Sequence, residues 1–120
     1  MARAQELIAT AYRRFAAEVP ALGNLKLTVR LELRGRGDVQ VFSVRVPGPI
    51  ITKGEPDEAR LELAMPRADF NELAERGKLS DWREAYEHGH VKVSGDREIQ
   101  QLLGKVIDRQ TSRSRLKRAH

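Results

Sequence analysis

Leu25-Lys26-Leu27-Thr28-Val29-Arg30-Leu31-Glu32-Leu33-Arg34 alternates apolar and polar side chains without a break. A period of two puts the five apolar residues on one face and the polar ones on the other, as in a strand covered on one side. Gly35-Arg36-Gly37-Asp38 is a tight connection, and Val39 to Val46 resumes extended character. The two runs predict an antiparallel hairpin.

Upstream, Leu7, Ile8, Ala11, Tyr12, Phe15, Ala16 and Val19 recur at helical spacing. They predict an amphipathic helix over residues 4–19, ended by Pro20. Downstream, Pro47-Gly48-Pro49 breaks the hairpin and Ile50-Ile51-Thr52 forms a short third strand. Ala59, Leu61, Leu63 and Met65 alternate as a fourth. Pro66 suits the first turn of a helix with Phe70, Leu73 and Ala74 as its stripe, closed by Gly77. Ser80 is read as the N-cap of a second short helix carrying Trp82, Ala85 and Tyr86, closed by Gly89. Val91 and Val93 give a fifth strand. Asp96 is read as a capping or first-turn residue, not a catalyst, of a last helix with Ile99, Leu102, Leu103, Val106 and Ile107 as its stripe, and Gly104 as a point of close approach to the sheet. The expected class is α+β, with a five-stranded, mainly antiparallel sheet covered by helices.

With 120 residues, 40% of them hydrophobic and 32% charged, the chain fits one core. The net charge of +5 has an address. Arg109, Arg113, Arg115, Lys117 and Arg118 stand in a stretch without acidic residues, and the remaining chain holds 17 basic and 17 acidic residues. We therefore read residues 1–108 as a single domain and 109–120 as a basic, flexible tail. A neutral body argues against a dedicated nucleic-acid-binding domain. The tail suits transient contact with an anionic membrane. No apolar run reaches the length of a membrane span or a signal peptide, and the expected location is the cytoplasm of a bacterium.

The sequence offers little for catalysis. It has no cysteine, which excludes disulfides, thiolate nucleophiles and cysteine zinc sites. No dinucleotide fingerprint, phosphate-binding loop or nucleophile elbow is present. His88 and His90 lack the carboxylate spacing of a helical zinc site and read as surface groups beside a turn. The carboxylates of Glu55-Pro56-Asp57-Glu58 and Asp69-Phe70-Asn71-Glu72 read as solvated turns and helix starts, not as an acid/base pair. No enzyme, no cofactor and no metal is expected. The apolar content says more: three helical stripes and one sheet face meet in a small domain, either as solid core or as the lining of an apolar pocket.

Residues 59–96 carry a run of motifs. They are Ala59-Arg60-Leu61-Glu62-Leu63-Ala64-Met65, Asp69-Phe70 with Leu73, Gly77-Lys78-Leu79, then Ala85 and Gly89, and Val91-Lys92-Val93-Ser94-Gly95-Asp96. This third of the chain resembles the sterol carrier protein 2 (SCP2) family of lipid-binding domains, and the order of elements on either side agrees. The resemblance implies a five-stranded sheet flanked by helices, with a hydrophobic tunnel between them. It implies non-catalytic binding, and transfer, of a fatty acid, acyl-CoA, phospholipid or sterol-like ligand. By position, Phe70, Leu73, Trp82, Tyr86, Leu102, Leu103 and Val106 are the ligand-binding candidates, and Lys78, Lys92 and Lys105 stand near enough in sequence to meet an anionic headgroup. The alternatives are a structural or protein-interaction domain whose tunnel is filled, and a nucleic-acid binder acting through the tail. Oligomeric state is not written in this pattern.

Overall fold

Strand formation follows the alternation closely. The computed structural model describes residues 3–119, with the backbone alone for residues 3, 111 and 113–119. Helix α1 (Arg3–Glu18) leads through a 3-10 turn at Pro20–Asn24 into β1 (Leu27–Arg34) and β2 (Val39–Val46). Then come β3 (Ile50–Lys53), β4 (Leu61–Pro66), α2 (Arg67–Arg76), α3 (Leu79–Glu87), β5 (Lys92–Gly95) and α4 (Arg97–Ala119). The sheet order is β3-β2-β1-β4-β5. Three pairings are antiparallel, and β1 and β4 run parallel. The fold is therefore α+β with a mixed, mostly antiparallel sheet.

Register decides which side chains share a face. Leu31 pairs with both Phe42 and Leu63, and Leu63 pairs with Val93. These residues, with Leu33, Val44, Val46 and Met65, form the inner face against which the helices pack. The alternate residues Arg30, Glu32, Arg34, Glu62, Ala64, Lys92 and Ser94 share the outer face. The core is densest where α1 and α2 meet β1, β2 and β4. There Leu33 and Ala74 are fully buried, and Met65 and Phe70 are nearly so. Burial of the Leu33, Met65 and Phe70 side chains stabilises by about 1.5–3 kcal/mol each.

Local chemistry corrects three expectations. Pro66 is the last residue of β4 and the N-cap of α2, not a residue of its first turn. Lys78, not Ser80, is the N-cap of α3. Asp81 makes the difference: its carboxylate accepts the Lys78 backbone N–H at 2.8 Å, and Glu18 reaches from α1 to accept the Leu79 N–H at 3.1 Å. Two carboxylates thus hold the positive end of α3. Gly104 has open space around it and lies in no close approach to the sheet.

Of the two places expected for Asp96, cap or first turn, it takes the cap. Its Oδ1 accepts the Glu98 N–H at 2.9 Å and the Ile99 N–H at 3.4 Å. From there α4 runs without a break at residue 108, so the segment expected as a tail continues the helix to Ala119. Its last residue, and the side chains carrying four of its five charges, lie outside the described ones. Among the described residues, no helix is long and apolar enough to cross a membrane.

Candidate functional site

The helix–sheet layer is buried at its centre and half-covered toward its margins. Leu31, Leu33, Phe42, Val44 and Val46 are buried, whereas Leu27, Val29 and Ile51 on the β1–β3 side are half-covered. Toward β5, α3 and α4, Leu63, Leu73, Trp82, Ala85 and Val93 likewise pack against the core yet keep contact with solvent, beside the buried Val91. Leu103, Val106 and Ile107 of α4 are half-buried too. Trp82 is the hinge of this region. Its ring lies 5.2 Å from that of Phe15 and 6.0 Å, edge-on, from that of Phe70. Such tilted and edge-on pairs add about 0.5–1.5 kcal/mol beyond burial. The aromatic trio ties α1, α2 and α3 together at the margin where the covering ends.

An open groove of about 690 Å³ runs along the β5 edge of the sheet. It is lined by outer-face residues Arg30, Glu62, Ala64, Lys92 and Ser94, by Leu63, Val91 and Val93 of the inner side, and by Tyr86 and Glu87 at the end of α3. Its electrostatics are dominated by Arg30. The guanidinium makes a two-pronged contact with Glu55 at 2.7 and 2.8 Å, and a third with Glu32 at 3.1 Å. The hydrogen bonds to Glu55 raise the Arg30 pKa against the cost of burial, and they hold the Glu55 carboxyl below its usual range. Arg30 is thereby committed to protein carboxylates, whereas Lys92 forms no ion pair among the described residues. The chemistry of this groove is mixed, with anions and cations side by side.

No family model and no curated protein matches the chain. Solved structures do. The palmitated sterol carrier protein 2-like 2 of Aedes aegypti superposes with a TM-score of 0.58 at 18% identity, over 82% of this chain and 91% of that one. The fold is SCP2-like. Sterol carrier protein domain 2 of Helicoverpa armigera gives a TM-score of 0.62 at 10% identity, covering 90% and 87%. The ubiquinone synthesis protein UbiJ-SCP2 gives 0.54 at 15%, covering 89% and 86%.

Within this SCP2-like fold the seven candidate residues do not form one surface. Phe70 is buried, and Leu73 and Trp82 sit half-covered beside it in the helix–sheet layer. Leu103 and Val106 are half-buried on α4. Tyr86 is 55% exposed and lines the groove at the β5 edge together with Leu63 and Val93, and Leu102 is 43% exposed. Sequence reasoning did not single out Leu63, Ala85 and Val93 for the layer. The alternation of Leu61, Leu63 and Met65 and of Val91 and Val93 was the signal for the two strand residues. Of the three lysines considered for a headgroup, Lys92 lines the groove at the β5 edge. The rings of His88 and His90 are 6.2 Å apart, and His90 Nδ1 lies 4.0 Å from Asp69. Among the described residues no group of three or more His, Cys, Asp or Glu side chains is placed to hold a metal ion.

Proposed function

We propose that the protein is a non-catalytic carrier of an apolar ligand, taken up in the helix–sheet layer on its β5 side. One observation supports this reading above others: Leu63, Leu73, Trp82, Ala85 and Val93 face that layer and are left half-covered. Apolar side chains that the protein does not cover gain from an acyl chain or ring system that does, by about 0.8 kcal/mol per buried methylene. Ordering and association return part of this. The palmitate-bound sterol carrier protein 2 of Aedes aegypti, matched at a TM-score of 0.55 and 18% identity, is consistent with a fatty acid as the ligand class. Transfer between membranes belongs to the same proposal.

A second reading has its own observation. Phe70 is 3% exposed and is packed edge-on by Trp82, so part of the candidate tunnel is occupied by the protein's own rings. An interaction domain with a filled layer would look like this.

Native mass spectrometry with lipid extraction, together with competition against a fluorescent fatty acid, separates the two. A co-purifying lipid, or displacement at one site per chain, supports the carrier. No bound species and no displacement across a wide concentration range defeats it and leaves the interaction domain.

A further inference from the structure

We propose that the outward face of α4 is a docking surface for an anionic lipid bilayer. The charge excess of the chain lies within residues 109–120, and α4 carries residues 109–119 of that stretch as helix. The charges are thus borne on a rod that extends about 16 Å past Asp108. One side of this rod is held to the body: Ile99 is buried, Leu103 and Ile107 are half-buried, and Asp108 pairs with Arg83 at 2.8 Å. The other side is open. Leu102 is 43% exposed, exposed Lys105 follows it by three residues and exposed Arg109 follows Lys105 by four, while the exposed Glu98 precedes Leu102 by four. Neither cation forms an ion pair among the described residues. On a helix such steps keep residues on one face. The same spacing continues through positions Arg113, Leu116 and Lys117, and no acidic residue follows Asp108.

An exposed leucine followed along one face by cations suits a helix that lies on a charged membrane surface. Nucleic acid would use the cations but leave Leu102 without a role. A second copy of this chain is disfavoured, because pairing two such rods side by side sets like charges against each other. The docking face lies away from the half-covered layer, so the inference goes beyond the carrier reading and stands without it.

The test is co-sedimentation of the full chain with vesicles of phosphatidylcholine, and of phosphatidylcholine mixed with phosphatidylglycerol. We expect binding to the mixed vesicles alone, weakened by added salt. Each cation near the surface contributes about fivefold, so the double variant Lys105→Gln/Arg109→Gln should bind about 30-fold more weakly. Glutamine keeps the helix propensity of both positions, and circular dichroism verifies the fold. Absence of binding, equal binding to both vesicle types, or an unaltered double variant overturns the proposal. So does tighter binding to duplex DNA or RNA than to mixed vesicles at the same salt. Uptake of a fluorescent fatty acid by the same samples reports separately on the carrier reading. Vesicle binding without uptake would defeat the carrier and leave the docking surface standing.

Discussion

Asp96 is fastened to Arg60 twice. Its backbone N–H donates to the Arg60 carbonyl at 2.7 Å, and its Oδ2 accepts from the Arg60 guanidinium at 2.7 Å. The Arg60 N–H donates in turn to the Thr28 carbonyl. One junction therefore links β1, the start of β4, the end of β5 and the first turn of α4. It fastens the first turn of α4 to the sheet.

Asp96→Ala removes the cap of α4 and the partner of Arg60 together. It should lower the urea midpoint and loosen amide protection over the first turns of α4. Asp96→Asn keeps an acceptor for the Glu98 N–H and should lose less. Hydrogen exchange of the two variants checks the order.

Gly95 has φ of +113°, and a Cβ there would lie 2.5 Å from the Arg60 carbonyl oxygen. Gly95→Ala should destabilise by about 1–3 kcal/mol, since both conformation and space forbid it. Gly104 offers the contrast, being exposed within α4 with nothing near its Cβ position. Gly104→Ala should stabilise by up to about 1 kcal/mol. Equilibrium unfolding of both variants is the measurement, and opposite signs are the expected result.

The pH dependence has a definite sign. Arg60 and the helix cap hold the Asp96 carboxyl below its usual range, and Arg30 does the same for Glu55. A carboxyl that is more acidic when folded stabilises the fold above its unfolded pKa, about 4. The contribution is lost as pH falls through the lower folded value. Stability should therefore hold from neutrality to about pH 5 and decline below about pH 4, with a shallower decline in Glu55→Gln. A pH series of thermal unfolding curves tests this.

Trp82 is the one tryptophan of the chain and packs against Phe15 and Phe70 at the margin of the layer. Its emission should shift to the blue when an apolar ligand displaces water from that margin. Phe70→Ala should cost about 3–5 kcal/mol, because a nearly buried ring leaves a cavity behind. Leu102→Gln should change stability by less than about 0.5 kcal/mol, since Leu102 faces water.

The alternation from Leu27 to Arg34 and the helical spacing from Leu7 to Phe15 sufficed to place β1 and α1, because burial on one side imposes its own period on a strand or a helix. Ends read from a single residue type were less secure. Ser80 looked like a cap, but Asp81 reaching back to Lys78 shifted the start of α3. The candidate site was legible only in part. Phe70, Leu73 and Trp82 come together in the layer, whereas Tyr86 lines the groove at the β5 edge and Leu102 faces solvent. Their spacing fitted an apolar stripe equally well, because period states which residues share a face and not what covers that face.

The sequence by itself determined the order of the elements, the two faces of β1, β4 and β5, a place for Asp96 at the start of α4 and the location of the charge excess. These are properties of neighbours along the chain. Only the tertiary structure decided that β1 and β4 lie side by side and parallel, and that Arg30 meets Glu55 across 25 residues. It also decided that α4 contacts β5 and α3 while leaving Leu102, Lys105 and Arg109 in the open. Those outcomes depend on which faces meet in space, and packing competition among distant segments settles that, not local period.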